Sequence, residues 1–66
     1  MATLRFPKLV QRIREEFEDH PNLRVNATEA ARFWGLDLTE SQLVLAELQL
    51  TGFLAEGPDH RYRHVA

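Results

Sequence analysis

Residues 26–37 read N-A-T-E-A-A-R-F-W-G-L-D, and the fold turns on this stretch. Asn26 has the side chain of a helix N-cap, and Glu29, three residues on, can reach back to the cap's backbone N–H, so the pair resembles a capping box. The helix it opens is short, running over residues 27–34 and ended by Gly35, with Ala30, Ala31 and Trp34 expected inward. Asp37 repeats the device with Glu40 and starts another helix over residues 38–51. Ser41, Val44, Leu45 and Leu48 draw its inward stripe. Gly52 supplies the left-handed residue that ends it.

Working toward lower numbers, Leu23-Arg24-Val25 alternates apolar and polar after Pro21-Asn22 and reads as a short strand in need of a partner. Before it, Phe6, Leu9, Val10, Ile13 and Phe17 recur at steps of three and four, one apolar stripe along a helix over residues 7–20 with Pro7 as its first residue. Residues 1–14 hold Arg5, Lys8, Arg12 and Arg14 with no acid, and Glu15, Glu16, Glu18 and Asp19 follow. These charges oppose the helix dipole at a few tenths of a kcal/mol each. Two explanations stand: pairing within the helix, Arg12 with Glu15 or Glu16 and Arg14 with Glu18, or a basic end that faces a partner. Working toward higher numbers, Phe53-Leu54-Ala55-Glu56 and Arg61-Tyr62-Arg63-His64-Val65 flank the turn formers Gly57-Pro58-Asp59-His60, a hairpin over residues 53–65. Alternation puts Tyr62 on the core side with His64 beside it, and aims Arg61 and Arg63 outward with His60 at the tip.

Helix, short strand, helix, glycine turn, helix and hairpin is the order of the winged helix-turn-helix superfamily. Residues 26–37 resemble its second helix and turn, and residues 45–54, L-A-E-L-Q-L-T-G-F-L, resemble the end of its recognition helix and the start of its wing. The likeness covers nearly the whole chain and extends to very small uncharacterised bacterial single-domain proteins. It implies an α+β, mostly helical domain over residues 1–66. It also implies that helix 3 enters the DNA major groove while the wing touches backbone or minor groove.

The residues then pull two ways. For a DNA-binding, transcription-regulating module, Arg61 and Arg63 would touch phosphates of double-stranded DNA while Thr39 and Gln42 approach base edges. Against it, the outer face of helix 3 carries no Lys or Arg, and Glu40 and Glu47 would oppose phosphates. Arginines on an exposed strand are also the charges that keep a sheet edge soluble, and Thr39 is equally a helix-start residue. The alternative is a protein partner or homodimer held by Leu43, Ala46 and Leu50 with Phe33, an apolar strip where a solvated face would be polar. A helix phase shifted by one residue would instead tuck Leu50 under the wing.

Composition bounds the rest. Sixty-six residues with 44% hydrophobic and 27% charged residues fit one globular domain with a modest core, and without cysteine its stability must come from packing or association. A net charge of −2 argues weakly against nonspecific nucleic-acid binding. No apolar run approaches a membrane span, and residues 1–7 lack a signal-peptide core, so a cytoplasmic protein is expected. His20, His60 and His64 lack metal-ligand spacing, and Ser41, the sole serine, faces the core. Neither an enzyme activity, a cofactor, a metal nor a small-molecule substrate is expected.

Overall fold

A computed structural model describes residues 2–65, the side chains of residues 2–5 excepted. The elements in order are α1 (Ala2–Asp19), β1 (Arg24–Val25), α2 (Ala27–Trp34), α3 (Leu38–Leu50), β2 (Leu54–Glu56) and β3 (Tyr62–His64). They form an α+β domain of three helices and a three-stranded antiparallel sheet.

Both capping boxes are present. The Asn26 side chain accepts from the Glu29 N–H at 2.8 Å while the Asn26 N–H donates to Glu29 Oε1 at 2.9 Å. At α3 the Asp37 carboxylate accepts from the Glu40 N–H at 2.7 Å and the return bond to Glu40 Oε1 is 3.4 Å. Gly35, at φ 66°, closes α2 by donating to the Ala31 carbonyl, a conformation in which a Cβ would be strained. Thr51 caps α3, one residue short of the expected end, and its hydroxyl donates to the Leu48 carbonyl at 3.0 Å.

Helix α1 departs from expectation. It begins at Ala2 and carries Pro7 inside it, in the second turn. The helix runs through the proline at the expense of the one backbone bond that Pro7 cannot donate to the Thr3 carbonyl. Of the expected pairings in α1, Arg14 Nε lies 3.7 Å from Glu18 Oε2; the Arg5 side chain lies outside the described residues.

The core is the meeting of the predicted stripes. Leu9, Ile13 and Phe17 of α1, Ala30 and Trp34 of α2, and Val44, Leu45 and Leu48 of α3 are buried together with Val25 and Leu54 from the sheet. The Phe17 and Trp34 rings lie 5.8 Å apart in a tilted pair, a favoured aromatic geometry. Ser41, buried among them, satisfies its hydroxyl by donating to the Ala27 carbonyl at 2.7 Å, which ties α3 to the start of α2.

The hairpin is one part of a larger sheet. The strand order is β1-β3-β2, so β3 is central. Arg24 stands opposite Arg63 and Val25 opposite Tyr62 on one side, and Ala55 opposite Arg63 on the other. Between β2 and β3 the Gly57 N–H donates to the Arg61 carbonyl and the His60 N–H to the Gly57 carbonyl. Pro58 and Asp59 thus form a tight turn, and His60 follows it at φ 63°, the left-handed position of a three-residue hairpin loop that glycine usually fills.

Candidate interaction surfaces

Helix α3 turns Thr39, Gln42, Leu43, Ala46, Glu47, Gln49 and Leu50 to solvent. Leu50 is 83% exposed and Leu43 54%, so the helix phase is the expected one and Leu50 does not pack under the hairpin. Leu38, at the start of α3, is exposed as well. With Val44, Leu45 and Leu48 buried beneath, the helix is apolar on both faces. Such a helix is normally covered on both.

Phe33 is exposed but belongs elsewhere. It stacks edge-on against Trp34 at 5.2 Å and lines a shallow hollow with residues 19–23, the turn between α1 and β1. No α3 residue lines that hollow. A second hollow, about 450 Å³, separates α1 from α3: Phe6, Val10 and Leu48 give it apolar walls, and Arg14 and Glu47 both border it.

The arginines of β3 and its turn have opposite fates. Arg61 folds back across 32 residues of sequence onto Glu29, donating from Nε to Oε1 at 2.9 Å and from Nη2 to Oε2 at 2.7 Å. This is the bidentate fork that suits guanidinium to carboxylate. Arg61's bond, with help from the Asn26 N–H, holds the Glu29 carboxyl at about 2, well below its ordinary value, and Glu29 in turn raises the pKa of Arg61. Asp59 adds a carboxylate oxygen 3.8 Å from Arg61. The sequence missed this joint because the capping box had already assigned Glu29 a role. Arg63, by contrast, is exposed, faces Arg24 in register, and neither forms an ion pair among the described residues. Since β3 is central, edge protection does not account for Arg63.

The remaining polar groups serve the hairpin. His60 Nδ1 lies 3.1 Å from Glu56 Oε2 at the tip. His64 is half-buried and stacks on Phe53 at 4.2 Å, with the Arg14 guanidinium 4.8 Å from the same ring, a cation–π contact that ties α1 to the sheet. Burial, then Glu56, raises the Tyr62 pKa. Among the described residues no three His, Asp or Glu side chains are grouped to hold a metal ion, and no helix is long and apolar enough to cross a membrane.

No family model, curated protein or solved structure matches the chain.

Proposed function

We propose that this chain is a small winged-helix interaction module without catalytic activity, and that it docks on protein through the outer face of α3. The winged-helix reading is supported by the order of elements and by the hairpin joined to β1. The docking reading is carried by one observation: Leu43, Ala46 and Leu50 form an exposed apolar strip on a helix without a single Lys or Arg. Phosphate neutralisation by such cations supplies most nonspecific DNA affinity, and α3 offers none; an apolar centre depleted of charge is instead the character of a protein interface.

A photo-crosslinking residue at position 50, introduced in the producing cell, tests the reading. Crosslinks to protein, lost when Leu43 is also changed to Glu, support it. Crosslinks to nucleic acid, or none at all, refute it.

One observation favours a second reading, contact with double-stranded DNA. Arg24 and Arg63 stand directly opposite each other on the outer face of the sheet, an arrangement of like charges that weakens a strand pair unless an anion offsets it. Those two residues, with Thr39 and Gln42 exposed on α3, would make the contacts, while Arg61 is held by Glu29. An electrophoretic shift on a mixed duplex pool at low salt, absent in Arg24→Ala with Arg63→Ala, would support this reading; no shift with the unaltered chain would remove it. Either way the module works in the cytoplasm.

A further inference from the structure

We infer that Arg24 and Arg63 together form a binding site for a phosphate monoester on the outer face of the sheet, with both guanidinium groups gripping the same tetrahedral dianion. The site needs no residue of α3 and so goes beyond the docking reading. It shares its two side chains with the DNA reading and differs from it in the ligand. Register places the two cations. Arg24 of β1 and Arg63 of β3 are direct cross-strand partners, so their Cβ atoms stand about 5 Å apart and their equal stems leave from the same face. Slippage cannot part them, because β3 is paired on its other side as well and a shift of one residue would turn Val25 or Tyr62 away from the core. Ala55 completes the row on β2, and its single methyl leaves room beside Arg63. In the next row toward the hairpin tip, Gly57 has no side chain and Arg61 is drawn away to Glu29.

The acids around the sheet are already committed. Both oxygens of Glu29 take the Arg61 fork, and Oε1 also accepts from the Asn26 N–H. Asp59 lies against Arg61, Glu56 against His60, and Glu18 against Arg14. Among the described residues no ion pair reaches Arg24 or Arg63, and both are exposed. Like charges directly opposite one another weaken a strand pair, yet the fold holds these two in register without an internal counter-charge. An anion from outside the domain supplies it.

Charge and donors select the ligand. Each guanidinium presents a pair of parallel N–H donors that match phosphate oxygens, so the two forks bring two positive charges to one point. A phosphate monoester answers with about two negative charges near neutral pH and three strong acceptor oxygens. A phosphodiester of a DNA backbone carries a single charge on two free oxygens and leaves one cation without its match. A carboxylate has the same shortfall. The ligand class is therefore the monoester, as a small free molecule or as a phosphorylated side chain.

Methyl phosphate and dimethyl phosphate, a monoester and a diester, are the probes. Titrated into the isotope-labelled full chain at low salt, methyl phosphate should move the Arg24 and Arg63 Nε–H resonances along one saturable curve, with a dissociation constant of about 1 mM. Dimethyl phosphate should bind about tenfold more weakly. Arg24→Gln and Arg63→Gln relieve the repulsion between the strands, so both variants should keep the circular dichroism spectrum of the natural chain while each binds methyl phosphate about tenfold more weakly. Arg24→Lys keeps the charge but loses the fork, and should bind several-fold more weakly than the natural chain. A glycine-flanked phosphoserine peptide that binds more tightly than methyl phosphate identifies a phosphorylated side chain as the source; equal binding identifies a small free phosphate. Both results support the site.

No saturable shift by about 20 mM methyl phosphate, equal binding of the diester, or undiminished binding by either glutamine variant overturns the inference. If duplex DNA shifts in the electrophoretic test while methyl phosphate shows no advantage over dimethyl phosphate, the monoester site is wrong and the DNA reading stands. The crosslink at position 50 reports on α3 alone, so the docking reading stands or falls separately.

Discussion

Facing inward, α3 presents Val44, Leu45 and Leu48, each at most 2% exposed; facing outward, it presents Leu43, Ala46 and Leu50, all in water. The residue types are nearly the same, and the difference lies in what opposes them. The inner stripe meets Phe17, Ile13 and Trp34, and removing any of its leucines opens a cavity. The outer strip lies largely in water, with Leu43 54% and Leu50 83% exposed, so it adds far less to folding than the inner one. Hydrophobicity alone does not separate a core residue from an exposed one. Neighbours do.

Four substitutions sharpen this contrast and one pH measurement bounds it. Leu45→Ala should cost about 2–5 kcal/mol of folding stability by denaturant unfolding, the range of a fully buried leucine, and would leave a 66-residue domain barely folded. Asp37→Ala removes the cap that starts both faces at once and should cost about 1 kcal/mol. Ser41→Ala, which deletes the bond to the Ala27 carbonyl on the inner face, should also cost about 1 kcal/mol. Leu50→Ala should change unfolding by less than about 0.5 kcal/mol, the usual bound for a surface site. A large loss there would mean that the outer face is needed for the fold.

The pH measurement isolates the Glu29–Arg61 joint, which holds the sheet to α2 without involving either face of α3. Because the folded carboxyl titrates at about 2 rather than its ordinary 4.5, the joint's contribution is complete above about pH 4.5 and disappears as pH falls toward 2. Glu29→Gln should therefore be less stable than the natural chain at neutral pH, and the two acid-unfolding curves should converge below about pH 2. Parallel curves would show that the joint is unimportant to stability.

Much of this was legible from local chemistry. Asn26 with Glu29 and Asp37 with Glu40 located two helix starts to the residue, because a capping box is satisfied within four residues and needs no tertiary partner. The inward stripes of all three helices followed from spacing, as did the exposure of Leu43, Ala46 and Leu50. What escaped was non-local. That β1 would pair with β3 and leave the hairpin's second strand in the centre depends on segments nearly forty residues apart, and a two-residue strand carries no register of its own. Arg61 read as an outward cation because alternation sets which side of a strand a residue leaves from, not how far a long side chain then bends. Phe33 was grouped with α3 on apolar character alone, whereas the fold sets it beside the turn after α1. The start of α1 was placed at Pro7 because proline favours a first helical turn; the helix absorbs it one turn later.

The central place of β3 bears on how the domain comes into being during synthesis. Among the described residues neither β1 nor β2 has any other strand to pair with, so a growing polypeptide can wind its three helices early but holds two unmated strands until residues 62–64 have emerged. Sheet formation is then a single late event that zips both neighbours at once, and it closes a loop of most of the chain's length.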